Sequence, residues 1–118
     1  FKQLMANLIN NSIKYRHPDR AVVIQLKCMQ VRGSQIGHHE AEPGRKYYKI
    51  SVQDNGIGFE QEYAEKIFEL FQRLNTSGVK GSGIGLAICK KIMQNHKGFI
   101  KASGRPDEGA RFDIYLPK

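Results

Sequence analysis

Residues 78–92 read GVKGSGIGLAICKKI, placing Gly81, Gly83 and Gly85 at alternate positions ahead of a run with helical apolar spacing. Glycine within a helix or strand costs roughly 0.5–1 kcal/mol relative to alanine. Three glycines so close together imply a backbone that needs freedom. A dinucleotide fingerprint would need a preceding strand and another glycine three beyond Gly83, where Leu86 stands. A Walker A loop would need Gly-Lys followed by Ser or Thr, which this stretch lacks. Two readings remain. One is a loop feeding a helix N-terminus, whose free amides and dipole favour an anion such as phosphate; the other is an ordinary flexible helix entry.

The chain has 118 residues, 40% hydrophobic and 25% charged, which fits one globular domain over residues 1–118. A chain of that size buries a core without disulfide staples. Cys28 and Cys89 sit among apolar neighbours and read as buried, reduced thiols. No apolar run approaches the roughly 20 residues of a membrane span, and no signal-peptide pattern opens the chain, so a cytoplasmic domain is expected. The chain starts at Phe1 already in helical register, which reads as a piece of a longer protein. The net charge is +8, yet the nineteen Lys and Arg never form a block. That pattern is a solvated basic surface rather than a nucleic-acid interface.

The hydrophobic period changes along the chain. Phe1, Leu4, Met5, Leu8, Ile9 and Ile13 follow helical spacing. After a break at His17, Pro18 and Asp19, AVVIQLKCMQV alternates, with Val22, Ile24, Leu26 and Cys28 on one face of a half-buried strand. Residues 32–45 read as a long hairpin loop, and KYYKISVQ as a strand with Tyr48, Ile50 and Val52 facing one way. A helical segment carrying Ile67, Leu70, Phe71 and Leu74 follows, then a helix over 84–95 with Gly98 as its C′ residue, then strands GFIKASG and ARFDIYLP. This order predicts an α/β two-layer sandwich.

Strand parity puts Asp54, in DNGIGF (54–59), on the inward face with Tyr48, Ile50 and Val52. A buried carboxylate needs a partner. An adenine amino group would serve, with Gly56 and Gly58 letting the ring approach the backbone; an Asn-Gly hairpin is the alternative. On the first helix, Asn7, Asn11 and Lys14 fall within roughly a 60° arc beside the apolar stripe. Amide oxygen suits Mg2+, Lys14 suits a phosphate and Tyr15 suits a base, although a solvent-facing polar stripe has the same pattern.

Taken in order, NLINNSIKY, DNGIGF, IFELFQRL and GSGIGLAICKKI resemble the N box, first glycine box, F box and second glycine box of sensor histidine kinase nucleotide-binding domains. These belong to the GHKL ATPase superfamily. EGARFDIYLP is similar to the closing strand, and the last two boxes look most like kinases attached to PAS or phytochrome-type sensors. The resemblance covers essentially the whole chain. It implies a Bergerat-type fold, with a mixed, mainly antiparallel sheet of about five strands and about three helices on one face.

It also implies binding of ATP with Mg2+ and transfer of the γ-phosphate to a histidine on an upstream dimerisation domain. In the full-length protein it implies a homodimer with a downstream response regulator. Asn11 would ligate Mg2+, supported by Asn7, and Lys14 would touch phosphate. Tyr15 would line the base pocket, Asp54 would accept from the adenine amino group, and Gly56, Ile57 and Gly58 would form the pocket floor. Phe68 in the F box would join the nucleotide site, Arg73 would reach the terminal phosphate, and Gly81, Gly83, Gly85 and Leu86 would form the lid and its phosphate-facing end. An ATP-driven clamp of the mismatch-repair or chaperone type and a non-catalytic scaffold are the alternatives. His17, His38, His39 and His96 match no phosphoacceptor motif, though the adjacent His38 and His39 could hold a stray metal. Ser12 stands where the family usually has alanine, with little consequence expected. The lid is short, and Lys97 occupies a position where glycine is frequent.

Overall fold

The structure, a computed structural model, describes residues 2–69 and 85–118. Arg73, Gly81 and Gly83 of the expected site, and Leu70, Phe71 and Leu74 of the expected middle helix, lie outside the described residues. Helix α1 (Lys2–Lys14) is followed by strands β1 (Ile24–Arg32) and β2 (Lys46–Asp54), helix α2 (Gly85–Asn95), and strands β3 (Phe99–Arg105) and β4 (Gly109–Pro117). The sheet order is β1-β2-β4-β3.

The two-layer sandwich follows the sequence reading, but the counts differ. Among the described residues the sheet has four strands, and every pairing is antiparallel rather than mixed. Two α-helices are described instead of three. Residues 61–68 form two short 3-10 turns, Gln61–Tyr63 and Lys66–Phe68, in place of the start of a middle helix.

Leu4 and Leu8 from α1, Cys89 and Met93 from α2, and Val52, Ala102, Phe112 and Ile114 from the sheet form the core between the layers. Register explains the cluster: Val52 sits opposite Phe112, and Phe112 opposite Ala102. Of β1, only Ile24 reaches this core. Cys28 is therefore exposed and Leu26 is 55% exposed, contrary to the half-buried strand expected. An edge strand beyond the helical layer gains little burial from its alternation.

The long β1–β2 loop builds a second, smaller core on the opposite face. Its Ile36 and Ala41 pack with Tyr47, Phe99 and Tyr115. Tyr47, rather than Tyr48, is thus the buried tyrosine of β2. The loop is tied down by Gly33 N–H to the Arg45 carbonyl at 2.8 Å and by Lys101 Nζ to the Ile36 carbonyl at 2.9 Å. His38 stacks on Phe99 with ring centroids 4.2 Å apart, and on its other neighbour His39 at 4.7 Å.

The end of α2 also corrects the reading. The Gly98 amide donates to Met93 and the Lys97 amide to Gln94, which is a Schellman motif. Its left-handed C′ residue is Lys97, at φ 58°, not Gly98. Gly98 is needed one position later, where a Cβ would lie 2.4 Å from the Tyr115 carbonyl oxygen.

Candidate functional site

Asp54 ends β2 at 9% exposure, facing the helices as strand parity required. Its Oδ1 accepts from the Gly56 amide at 2.9 Å and the Ala110 amide at 3.1 Å. Its Oδ2 accepts from Ser12 Oγ at 2.9 Å. An ionised carboxylate has about four lone-pair positions. Among the described residues three are filled, leaving one on Oδ2. Asp54 also lines a cavity, together with Asn11 and Tyr15 from the α1 side, Leu86 from α2, Ile57, Gly58 and Phe59 after β2, Ile67, and Ala110 and Phe112 from β4. The site is a largely apolar slot in which Asp54 keeps an acceptor position open among the described residues, suited to a flat ring carrying an exocyclic donor.

The glycines of DNGIGF bring the chain's own backbone into close approach, with Gly58 also on the cavity. A Cβ on Gly56 would lie 2.5 Å from the Tyr15 carbonyl oxygen, and Gly56 does not line the cavity. Gly58 has φ 67°, and a Cβ there would fall 2.0 Å from the Arg105 carbonyl oxygen. Both bring backbone against backbone. The loop they serve is fixed at both sides: the Ile57 amide donates to Tyr15 at 2.9 Å, and the Asp107 amide donates to Ile57 at 2.7 Å. The Arg20 guanidinium donates to the carbonyls of Asn55, Gly56 and Asp107. The Asn55 side chain accepts from the Val23 amide and donates to the Ala21 carbonyl.

Asn11 lines the cavity, whereas Asn7 lies one turn back beside Cys89. The Asn7 Nδ2 atom is buried with no hydrogen-bond partner among the described residues. Burial pushes the Cys89 thiol up to about 11, with the nearby Asn7 amide opposing it weakly without closing a hydrogen bond. Lys14 is exposed in the last turn of α1. Phe68 is buried in the core, edge-on to Phe112 at 6.3 Å, and the adjacent Ile67 lines the slot instead. Gly85 and Leu86 open α2, with Leu86 on the cavity. Among the described residues, no group of three or more His, Cys, Asp or Glu could hold a metal ion.

Sequence reasoning passed over Ser12, Phe59, Ile67, Ala110 and Phe112. Phe112 shares its inward face with Ile114, so strand parity could have found it. Ser12 continues the Leu4, Leu8 spacing and could have been found by helical period.

The whole chain, residues 1–118, matches the family described as histidine kinase-, DNA gyrase B-, and HSP90-like ATPase. The chain belongs to that family. This ATPase domain is 40% identical over 114 residues to "Sensor protein RprX" of Bacteroides fragilis, covering 94% of this chain and 20% of that protein. It is 38% identical over 116 residues to "Cyanobacterial phytochrome A" of Nostoc sp., covering 98% of this chain and 13% of that protein. The domain therefore spans a fifth or less of those two curated relatives. Its fold matches full-length ShkA, solved in complex with AMPPNP, at a TM-score of 0.72 and 24% identity, covering 98% of this chain and 21% of that one. Within the family, the ATPase domain is of the sensor histidine kinase kind. No described helix is long and apolar enough to cross a membrane.

Proposed function

We propose that this domain binds Mg-ATP and donates the γ-phosphate to a histidine on a separate dimerisation domain, in a homodimeric protein that serves a response regulator. The carrying observation is the acceptor position on Asp54 Oδ2 that no described residue fills, on a residue lining a largely apolar slot. Adenine supplies a flat apolar ring and an amino donor. Tyr15, Ile57, Phe59 and Leu86 contact the ring, and Asp54 accepts from the amino group. ShkA, a protein of the same fold, was solved in complex with AMPPNP, which supports a nucleotide as the ligand.

With the base seated, the triphosphate extends along α1 towards Asn11 and Lys14. Hard divalent cations favour oxygen ligands, few from protein and the rest from phosphates and water. Asn11 offers its amide oxygen there, and the Asn7 Nδ2 atom, without a partner among the described residues, offers a donor one turn away. Lys14 and Arg73 neutralise charge on the terminal phosphates, and the second glycine box covers them. Positioning and charge neutralisation carry most of phosphoryl transfer, and imidazole already presents a lone pair to the γ-phosphate.

The test is a calorimetric titration of ATP with and without Mg2+, in the parent and in Asn11→Asp. Binding in the parent, with a Mg2+ dependence altered in Asn11→Asp, is the expected result. A parent with no ATP affinity sinks the proposal, and an unaltered Mg2+ dependence removes Asn11 as ligand.

A further inference from the structure

Helix α1 buries a polar residue on its apolar stripe, where Ser12 follows Leu4 and Leu8. Ser12 is 1% exposed while the adjacent Ile13 is 43% exposed. Burying a hydroxyl in place of a branched aliphatic is unfavourable unless the hydroxyl finds a strong partner. It has two acceptors in reach, the Leu8 carbonyl at 3.3 Å and Asp54 Oδ2 at 2.9 Å. A serine carries one proton, and a bond to a carboxylate is shorter and stronger than one to a neutral carbonyl. The proton therefore goes to Asp54, and the Leu8 carbonyl keeps its helical role.

We infer that Ser12 is a positioning residue for base recognition: acting through Asp54, it selects purines that carry a 6-amino group. The inference rests on the adenine reading of the slot. Oδ1 accepts from two amides and Oδ2 from Ser12, so among the described residues one lone pair on Oδ2 remains, on a residue that lines the cavity. Surrounded by donors, the carboxylate acts only as an acceptor. A purine with an amino donor meets it favourably, and a purine without one leaves it unfilled. Ser12 does not line the cavity and touches no base.

Binding of ATP and of purine riboside triphosphate, which lacks only the 6-amino group, separates this role from a structural one. In the parent, ATP binds the tighter of the two. In Ser12→Ala, ATP affinity falls about three- to tenfold, the size of one hydrogen bond, while purine riboside triphosphate changes less than twofold. Ser12→Cys, close in shape with a far weaker donor, shifts the ratio in the same direction and serves if Ser12→Ala does not fold. Equal loss for both nucleotides, or no loss for either, overturns the role of Ser12. A parent that binds both nucleotides equally instead overturns the adenine reading, and this inference with it.

Discussion

The amide of Ile57 donates to the carbonyl oxygen of Tyr15 at 2.9 Å, joining the loop after β2 to the residue that follows α1. Two cavity-lining residues are thereby fixed to each other through their backbones. The contact depends on Gly56, because any Cβ there would lie 2.5 Å from the same Tyr15 oxygen. Gly56→Ala must push the loop off α1. It should destabilise the domain by about 1–3 kcal/mol, as overpacking against backbone does, and weaken ATP binding as well. Thermal melts and nucleotide titration check both, and an unshifted melt rejects the close approach.

Asp54→Asn tests the polarity of the site. If the amide oxygen stays where Oδ1 was, Gly56 and Ala110 keep their acceptor, and Ser12 turns to accept from the new amide nitrogen while donating to Leu8. The fold then survives. The cavity, however, now presents a donor to a donor, so ATP affinity should fall roughly ten- to a hundredfold, the scale of a buried mismatched hydrogen bond. Calorimetry showing parental affinity would remove Asp54 from the base site.

Lys97→Gly should stabilise. An L-residue in the left-handed region is strained by about 1–2 kcal/mol, and part of that is returned through the greater unfolded-state freedom of glycine. A net gain of about 0.5–1 kcal/mol is expected at φ 58°. Chemical denaturation measures it. A loss would mean that Lys97 makes a favourable interaction outweighing its strain.

The loop over the second core should loosen in acid. Burial, and then the neighbouring His39, lower the pKa of His38 from its usual 6.5, with Lys101 and Lys90 adding to this and Glu40 opposing it. Its Nδ1 also accepts from the Glu40 amide, a bond the protonated ring cannot receive. The folded pKa lies below the unfolded one, so the unfolded chain binds the proton first and stability falls as pH drops from 6.5 towards the folded value. His38→Phe keeps the stack on Phe99 and should flatten that part of the profile. Melts between neutral pH and mildly acidic pH compare the two proteins, and parallel slopes would exclude His38.

Much of this was readable beforehand, for reasons particular residues show. Val52 and Asp54 face inward because a strand alternates whatever surrounds it, and Leu4 and Leu8 are buried because a helix repeats whatever it packs on. What escaped depends on partners distant in sequence. Leu26 and Cys28 carry a core-like pattern, but only the order of strands shows that the helices stop short of β1. Ser12 lies on the Leu4, Leu8 stripe, but the partner that makes a buried hydroxyl tolerable there, Asp54, stands 42 positions on. Tyr47 is buried, and Tyr48 is not, because of a loop whose composition reads as solvent-exposed. The glycines of DNGIGF were legible as close approaches, yet what approaches is the chain's own backbone.

Arg20 gathers three carbonyls from two separate loops under one guanidinium. Together with the Tyr15–Ile57–Asp107 ladder, it ties the β2–loop side of the slot through the chain's own hydrogen bonds. Ordering a flexible binding loop consumes part of the free energy of association. Here that side of the slot is preorganised, so the entropy lost on binding a nucleotide falls on the ligand's own torsions rather than on Ile57 and Gly58. Loosening Arg20 would therefore weaken binding without removing a single contact to the ligand.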